Sequence, residues 1–360
     1  MESVFLSRLT VHFFRNIERA ELEPGNRFNV ISGNNGTGKT NLLEAIYFFS
    51  ALRSFRTTVR RELIGSGVEK AAIEGVFGGA ARGLVCEIEV SVTGRRIHVD
   101  RKEISDVQQH FSRLPMVLFH PADLVLVQGA PKERRRFMDR ALFQANPAYP
   151  GWISDYNRAL LSRNRMLKDR PRSIETLQPF DVQLARLGAR ICEARRRFLD
   201  TARPLFADAA DRIGKGVSAN LTYRPNVDGE ESDFEQVLRS TFSQDRDRGF
   251  TSRGPHSDDV EITVKELSAK RFASQGQQRM AVLALKIAEV NALSSACRRT
   301  PVLLLDDISS ELDRERNRAL FSFLQQTAGQ VFITTTHLDH VLLDSDRVDF
   351  AIEAGAVAKR

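Results

Sequence analysis

The 360-residue sequence has little cysteine and no long hydrophobic run. Its three cysteines, Cys86, Cys192 and Cys297, form no CxxC pair, which excludes a disulfide framework and indicates a reducing compartment. No stretch approaches the roughly 18 uninterrupted apolar residues that span a bilayer, and Ser7 and Arg8 interrupt the apolar N-terminal residues that a signal peptide would need. We therefore expect a cytoplasmic protein without a membrane partner.

The composition also excludes a mostly disordered chain. Hydrophobic residues make up 42% and charged residues 28% of the sequence, which is typical of a globular protein with a sizeable core. The length leaves room for about two domains of roughly 150 residues each. The histidines show no metal-ligand spacing, so we expect no zinc site.

Positive charge is concentrated in one segment. The formal net charge is +7, and residues 131–200 hold 16 Lys and Arg against 8 Asp and Glu, so this segment carries the whole excess. The planar fork of arginine suits phosphate, and a localised basic stripe is typical of a nucleic-acid-binding surface. A solvated helix face with paired acids is the alternative. The candidate DNA-binding residues are Arg134, Arg135, Arg136, Arg195, Arg196 and Arg197.

The hydrophobic patterns predict an α/β protein in which sheet-forming ends flank a helical insertion. The first hundred residues alternate as strands around one helix, and strand alternation resumes at Val260–Val264. From Pro131 to about Leu205 the pattern is helical, with a seam of apolar residues shorter than three heptads between Pro179 and Pro204. We therefore predict two domains: residues 1–125 with 250–360, and an inserted, mainly helical, basic lobe at 126–249.

One glycine-rich loop matches G-x-x-x-x-G-K-[ST] without exception. It follows a predicted strand and precedes a predicted helix, which is the context that a phosphate-binding P-loop needs. We expect Lys39 to reach the β- and γ-phosphates of ATP and the Thr40 hydroxyl to hold Mg²⁺. The predicted nucleotide-binding residues of the loop are Gly33, Asn34, Asn35, Gly36, Thr37, Gly38, Lys39 and Thr40.

A second metal carboxylate follows a predicted buried strand, Val302–Leu305. Asp306 lies 267 positions after Lys39 and is the candidate Mg²⁺ ligand, while Asp307 is the candidate that polarises the attacking water. This long separation excludes simple nucleotide kinases and small GTPases, whose metal carboxylate lies nearer to the loop.

Together with these motifs, the segment Ser274–Gln278 (SQGQQ) indicates a family. The chain resembles ABC-type ATPase heads and, within them, the RecF family of bacterial DNA replication and repair proteins. Leu303–Asp313 (LLLDDISSELD) is similar to the family's Walker B and D-loop, and His337 stands at the switch-histidine position. Further matching segments are Phe14-Arg15-Asn16, Arg53-Ser54-Phe55-Arg56, Gly129–Asp139 (GAPKERRRFMD) and Arg253–Asp259 (RGPHSDD), where Ser257 replaces an expected basic residue.

The resemblance implies an ATP-gated homodimer. In ABC heads the signature loop of one subunit completes the ATP site of the other, so Ser274, Gly276 and Gln277 would face the nucleotide held by the partner. Taken from the residues alone, Ser274 and Gly276 at a helix N-terminus could bind an anion or cap the helix, and an ordinary N-cap is the more frequent use of such residues. Gln128 resembles the Q-loop glutamine of SMC heads, so Lys39, Asp307, Gln128 and His337 form the predicted catalytic set.

The resemblance further implies a slow Mg²⁺-dependent ATPase of recombinational repair and replication restart. Asp307 is one methylene shorter than the glutamate usual in transporters, so we expect turnover well below about 10 per second. The implied partners are duplex DNA and single-strand/duplex junctions, RecR, and RecO and RecA in the same pathway. The implied role is to help RecA load at single-strand gaps, with a part in the SOS response.

Two other functions fit some of the same motifs. A transporter nucleotide-binding subunit would also contain a P-loop and a signature loop, but the basic insertion and SQGQQ in place of LSGGQ argue against it. An ATP-sensing scaffold that binds other proteins and little DNA would differ from the DNA-repair ATPase only in which surface binds its partner.

Overall fold

The computed structural model describes residues 2–104, 114–171, 173–308, 312–326 and 329–360. Positions 309–311 of the predicted D-loop lie outside the described residues. The strands are β1 (Glu2–Phe14), β2 (Ile17–Leu22), β3 (Phe28–Ser32), β4 (Lys70–Gly79), β5 (Leu84–Ser91), β6 (Arg95–Val99), β7 (Lys102–Glu103), β8 (Met116–Phe119), β9 (Ala219–Arg224), β10 (Asp259–Val264), β11 (Leu267–Ser268), β12 (Arg299–Thr300), β13 (Val302–Asp306), β14 (Val331–Thr335), β15 (Arg347–Glu353) and β16 (Ala356–Lys359). The helices are α1 (Lys39–Ala51), α2 (Val125–Gln128), α3 (Pro131–Ala145), α4 (Tyr149–Lys168), α5 (Gln178–Gly214), α6 (Glu231–Ser240), α7 (Phe242–Arg248), α8 (Ala269–Phe272), α9 (Gln275–Cys297) and α10 (Arg314–Gln326).

The described chain divides into two compact units, Met1–Leu124 with Val282–Arg360 and Val125–Ala281. The first unit is therefore assembled from both ends of the chain. The second break differs from the predicted boundary at residue 249, because residues 250–281, including β10 and the signature segment, belong to the second unit. Strand β10 pairs with β9 along its whole length, and such a ladder keeps its two strands in one unit.

The first unit contains a mainly parallel six-stranded sheet in the order β16-β15-β3-β14-β13-β8. Every described position of β3, β8, β13 and β14 is buried, as expected for parallel strands that are covered on both faces. Because these strands run parallel, their carboxyl ends meet at one edge, where β3 leads into the P-loop and β13 ends at Asp306. Ligands bind at this edge in open α/β sheets.

A second sheet of the first unit has the order β12-β1-β4-β5-β6-β7, with β2 paired to β1. Its hairpin β5–β6 alternates buried and partly exposed positions, as the sequence pattern predicts. Aromatic side chains of α1 pack against this sheet, and the rings of Phe49 and Phe77 meet edge to face with centroids 5.1 Å apart. The α/β class is thus confirmed.

The second unit is mainly helical and also contains the sheet β11-β10-β9. Its longest helix, α5, extends for 37 residues and contains Pro204. The predicted seam does not end there, because the buried stripe continues through Ala202 and Phe206 on the same helix. An internal proline removes one backbone hydrogen bond of the helix and clashes with a preceding carbonyl group. The free energy gained by packing this stripe outweighs both effects.

One described helix, α9, is long and apolar enough to cross a membrane by length and composition alone. However, 72% of its apolar window is buried inside the protein, which is the pattern of a core helix. It also carries two buried charged residues, Lys286 and Glu289, whose side chains pair at 3.0 Å.

Candidate functional site

The P-loop connects the end of β3 to the start of α1. Gly36 and Gly38 adopt positive φ angles of 81° and 115°, which L side chains rarely adopt. At Gly33 a Cβ atom would lie 2.5 Å from the carbonyl oxygen of Ile352, so only glycine fits there. The glycines of the sequence motif are therefore required by the backbone angles and close contacts of this loop.

The amino end of α1 is open to an anion. No side chain caps Gly38, and no acidic residue lies in the first helical turn. The first N–H groups of a helix lack partners within the helix, and the helix dipole places partial positive charge there. This end of α1 can thus receive phosphate oxygens.

Lys39 is folded back onto its own loop. Its Nζ donates to the carbonyl oxygens of Gly33 at 2.7 Å and Asn34 at 2.9 Å. The residue is only 7% exposed, and burial lowers the pKa of the amine, while the nearby carboxylates of Asp307 and Asp306 act in the opposite direction. An ammonium held this way is poised to exchange its carbonyl partners for phosphate oxygens.

Asp306 and Thr40 come together at the sheet edge. The Thr40 hydroxyl donates to Oδ1 of Asp306 at 2.8 Å, and the Thr334 hydroxyl donates to the same oxygen at 3.0 Å. A threonine hydroxyl and a carboxylate are hard oxygen ligands, and Mg²⁺ at nucleotide sites takes few protein ligands besides phosphate and water. The donor set therefore fits a Mg²⁺ ion that accompanies a nucleotide.

Asp307 has a left-handed backbone with φ 49°. Its N–H donates to the carbonyl oxygen of Thr334 at 3.2 Å and to the hydroxyl of Thr334 at 3.0 Å, which holds this conformation. A non-glycine residue with such a φ is uncommon, and strain of this kind concentrates at functional positions. The strained turn places two consecutive carboxylates at the end of one strand.

His120 is a site residue that the sequence analysis missed. It follows β8, which pairs with β13, and its Nε2 lies 3.4 Å from Oδ2 of Asp306. Its Nδ1 accepts the N–H of Ala122 at 3.0 Å, so the ring proton of a neutral His120 is on Nε2, facing Asp306. Its position in the sequence was the available signal. His120 directly follows the short apolar run Met116–Phe119, just as Asp306 directly follows the run Val302–Leu305.

We expect the substitution His120→Ala to lower ATP hydrolysis by about 10–100-fold, the usual effect of removing a partner that orients a metal ligand. Phosphate release at saturating Mg-ATP measures this effect, and a Mg²⁺ titration shows whether metal affinity falls with it. His120→Gln keeps an N–H donor and is the matched control. Equal activity of His120→Ala and the wild type would exclude this role.

Asn16 is a second residue whose role appears only in the structure. Its Nδ2 donates to the carbonyl oxygen of Gly36 at 3.3 Å, and its Oδ1 accepts from Nδ2 of Asn41 at 2.7 Å. On the other side, the N–H of Gly355 in the β15–β16 turn donates to the carbonyl oxygen of Thr37 at 3.0 Å. Both contacts support the P-loop from residues that are distant in sequence.

The signature segment forms a helix cap. The Ser274 hydroxyl accepts the N–H of Gln277 at 3.2 Å, and the Gln277 side chain accepts the N–H of Ser274 at 2.9 Å. This reciprocal pair is a capping box at the start of α9. Ser274 remains exposed, while Gly276 and Gln277 are half-buried. The N-cap interpretation thus describes this chain, and it leaves Ser274 accessible to a partner.

The remaining predicted catalytic residues are Gln128 in the second unit and His337 in the first. Gln128, at the end of α2, donates through Nε2 to Oε1 of Gln278 at 2.7 Å, so it supports the signature segment. His337 is exposed, and its ring centroid lies 5.5 Å from that of His340. Within the described part of the first unit, no hydrogen bond joins the His337 side chain to Lys39 or Asp306.

Two of the six candidate DNA-binding arginines are buried in ion pairs. Arg195 is 2% exposed and binds Asp139 at 2.9 Å and Asp258 at 2.8 Å. Arg134 is 8% exposed and binds Asp259 at 2.7 Å. These placements contradict the prediction that Arg134 and Arg195 contact DNA, because each guanidinium is itself buried and bound to carboxylates.

The other four arginines are more accessible but also have partners. Arg135 is half-buried and donates to the carbonyl oxygen of Asp258 at 2.7 Å. Arg136, Arg196 and Arg197 pair with acids of their own helices, and Arg196 also binds Asp228. The alternative of a solvated face with paired acids therefore describes much of this segment.

Comparison with known families gives a match over nearly the whole chain. The family described as "RecF/RecN/SMC N terminal domain" matches residues 5–353. The chain is 40% identical to the "DNA replication and repair protein RecF" of Anaeromyxobacter sp. (strain Fw109-5), over 98% of each sequence. It is 41% identical to the protein of the same name from Myxococcus xanthus (strain DK1622), over 92% of this chain and 90% of the relative.

Solved structures give the same result for the fold. The chain is similar to "the recombination mediator protein RecF-ATP in RecFOR pathway", with a TM-score of 0.91 and 29% identity over 100% of both chains. It is also similar in fold to an Smc head domain with an extended coiled coil from Pyrococcus furiosus, with a TM-score of 0.61, 15% identity and coverage of 99% of this chain and 96% of the other.

Proposed function

Because the chain belongs to the RecF family of DNA replication and repair proteins, we propose that it is an ATP-dependent DNA-binding protein of recombinational repair and replication restart. The observation that carries this proposal is the contact of Thr40 with Asp306, which joins the P-loop to the Walker B strand with Lys39 beside them. A related RecF of known structure is described with ATP, which supports ATP as the nucleotide here.

The nucleotide is held by groups that are already in place. The open N–H groups of α1 and the amine of Lys39 bind phosphate oxygens, and Thr40 and Asp306 hold Mg²⁺. When bound, the Mg²⁺ ion neutralises the charge that develops on the phosphates. His120 orients Asp306, and Asp307 orients the attacking water. Because Asp307 is shorter than the glutamate usual in transporters, hydrolysis is slow and acts as a switch.

The active form is an ATP-gated homodimer. Ser274, Gly276 and Gln277 of one subunit face the nucleotide that the partner holds, so each of two ATP molecules is enclosed by two chains. The exposure of Ser274 at the amino end of a long helix supports this arrangement. Gln128 supports the signature segment through Gln278, and His337 acts as the switch histidine.

The DNA ligands of the proposed dimer are duplex DNA and single-strand/duplex junctions. The protein acts in the cytoplasm with RecR and RecO and helps RecA load at single-strand gaps, which couples it to the SOS response. Of the original arginine candidates, Arg136 and Arg197 retain the exposure that a phosphate contact needs, and Arg135 and Arg196 are half-buried.

The decisive experiment is sedimentation of an Asp307→Asn variant with Mg-ATP and a short duplex. The variant should hydrolyse ATP too slowly to leave the closed state, so we expect two chains on each DNA. The same variant with ADP should stay monomeric, and adding Ser274→Arg should abolish the dimer because the larger side chain blocks the shared site. Unfolding temperatures of all variants control for the lost helix cap, whose removal costs about 1 kcal/mol.

A chain that stays monomeric with Mg-ATP but still binds the nucleotide would contradict the ATP-gated dimer and favour the scaffold hypothesis. Recovery of the protein in the membrane fraction together with a membrane partner would favour the transporter hypothesis instead.

A further inference from the structure

Three consecutive residues that follow the end of α1, Ser54, Phe55 and Arg56, form what we call the bridging segment. The Ser54 hydroxyl donates to Oε1 of Glu44, a residue of α1 that is fully buried. The same hydroxyl oxygen accepts the N–H groups of Arg56 and Thr57, each at 2.9 Å. A buried carboxylate needs hydrogen-bond partners, so this contact holds the start of the bridging segment against α1.

Glu44 also binds Arg15, which follows β1. The Nε and Nη2 groups of Arg15 donate to the two carboxylate oxygens of Glu44, the second of them at 2.9 Å. A bidentate pair of this kind fixes the orientation of both side chains as well as their separation. Nη1 of Arg56 lies 3.8 Å from Oε2 of the same carboxylate. Glu44 therefore anchors both the bridging segment and the residue that precedes Asn16.

Arg56 connects the bridging segment to the P-loop. Its Nη1 donates to Oδ1 of Asn41 at 2.7 Å, and Nδ2 of Asn41 donates to Oδ1 of Asn16 at 2.7 Å. Nδ2 of Asn16 in turn donates to the carbonyl oxygen of Gly36 at 3.3 Å. Each amide accepts one hydrogen bond and donates the next, so three hydrogen bonds form a continuous chain from the guanidinium to the phosphate-binding loop.

Phe55 connects the bridging segment to the metal side of the site. Its ring meets the ring of His120 edge to face, with centroids 5.1 Å apart and an interplanar angle of 63°. Tyr47 of α1 packs against Phe55 in the same manner, with centroids 5.6 Å apart. Edge-to-face packing is a preferred geometry of aromatic rings. Phe55 therefore restricts the ring whose Nε2 faces the Asp306 carboxylate.

We propose that the bridging segment positions both halves of the nucleotide site. Arg56 acts on the P-loop through the two asparagines, and Phe55 acts on Asp306 through His120. Both are positioning residues, and Ser54 keeps them at a fixed place relative to α1. The inference rests on the proposed ATPase function and explains why one short segment contacts the phosphate-binding loop as well as the partner of the metal ligand.

The metal half is tested with Phe55→Leu, which keeps an apolar side chain and removes the ring. We expect Mg²⁺ affinity to fall about tenfold, the lower end of the effect of losing a residue that orients a metal ligand. ATP affinity in EDTA should stay near that of the wild type. In the His120→Ala background, Phe55→Leu should lower Mg²⁺ affinity no further, because the residue through which it acts is gone.

Two readouts report Mg²⁺ affinity: the Mg²⁺ dependence of phosphate release and that of the rise in unfolding temperature that ATP causes. Calorimetry in EDTA reports ATP affinity without the metal. Phe13→Leu is the matched control, since Phe13 is a 39% exposed phenylalanine of the same unit. If Phe55→Leu does not fold, Phe55→Met keeps a longer apolar side chain without a ring, and the same results are expected of it.

The phosphate half is tested with Arg56→Gln. We expect ATP binding in EDTA to weaken about tenfold, the usual effect of losing a hydrogen bond to a charged group, while the Mg²⁺ dependence stays near that of the wild type. Amide hydrogen exchange of residues 34–38 should be faster in the nucleotide-free variant. Adding Asn16→Ala should weaken ATP binding little further, because both changes break one chain. Arg19→Gln, at an exposed arginine that pairs with Glu21, is the matched control.

Each half can fail separately. If Phe55→Leu lowers Mg²⁺ affinity equally with and without His120, the ring supports only the core and the metal half is overturned. If the effects of Arg56→Gln and Asn16→Ala on ATP affinity multiply, Arg56 does not act through the asparagines and the phosphate half is overturned. Wild-type ATP and Mg²⁺ affinities in both folded variants would overturn the whole proposal and leave the proposed function intact. A wild-type protein that neither binds nor hydrolyses ATP would instead overturn the proposed function.

Discussion

Replacing Lys39 by alanine is expected to reduce ATP hydrolysis by about 10²–10³-fold, the usual effect of removing one preorganised cationic or hydrogen-bonding contact to developing charge. The Lys39 amine lies 2.7 Å from the carbonyl oxygen of Gly33 and 2.9 Å from that of Asn34. Without the amine, the phosphate oxygens lose a cationic partner, so ATP affinity should fall as well. Single-turnover phosphate release and calorimetric ATP binding measure the two effects separately.

The control for Lys39→Ala is thermal unfolding with and without ATP. A ligand that binds only the native state stabilises it by about 2.7 kcal/mol at 100 times its Kd, so ATP should raise the unfolding temperature of the wild type. The variant should unfold at nearly the wild-type temperature without nucleotide and gain little from ATP. The exposed Lys102→Ala serves as the matched lysine control. Hydrolysis by Lys39→Ala within about threefold of the wild type would contradict the assignment of the loop.

Replacing Arg195 by leucine is expected to destabilise the second unit by roughly 3–5 kcal/mol, the usual effect of breaking a buried ion pair from one side. The guanidinium of Arg195 binds Asp139 and Asp258 and donates to the carbonyl oxygen of Pro255 at 2.7 Å. Leucine would leave the buried carboxylate of Asp258 and the partly buried carboxylate of Asp139 without their cation. Chemical denaturation followed by circular dichroism measures the loss.

Arg197→Leu is the matched control for Arg195→Leu. The Arg197 side chain is 79% exposed and pairs with Glu193 one helical turn away, a contact that contributes about 0.3–0.5 kcal/mol. If Arg195→Leu does not fold, Arg195→Lys keeps the charge, loses the planar fork and should show an intermediate loss. Unchanged stability of Arg195→Leu together with weaker DNA binding would restore Arg195 as a DNA contact.

The local motifs could be read from the sequence because each depends on neighbouring residues. The glycines at positions 36 and 38 are required by backbone angles of the loop itself, and Ser274 with Gln277 forms a cap across a single helical turn. The buried strand before Asp306 is visible as an apolar run for the same reason. The boundary at 249 was misplaced because the pairing of β9 with β10 joins segments on either side of it.

The buried arginines show why the sequence could not locate the basic surface. The composition gives the number of charged residues, but whether a charge can bind a ligand depends on the partners that it has in the fold. Arg195 pairs with Asp258, which lies 63 positions further along the chain. Arg134 and Asp259 are separated by 125 positions. No local pattern around these residues indicates the pairing, so a count of charges along the sequence does not show which charges are accessible.

The sequence alone thus determined the α/β class, the P-loop and the Asp306–Asp307 pair, since glycine spacing and apolar runs are short-range features. The family was indicated by the resemblance of several motifs. Only the tertiary structure decided that His120 contacts Asp306, that Asn16 supports the P-loop and that Arg134 and Arg195 are buried. The physical reason is that hydrogen bonds and ion pairs act over a few ångströms in space. Folding alone brings the distant segments that carry these groups within that range.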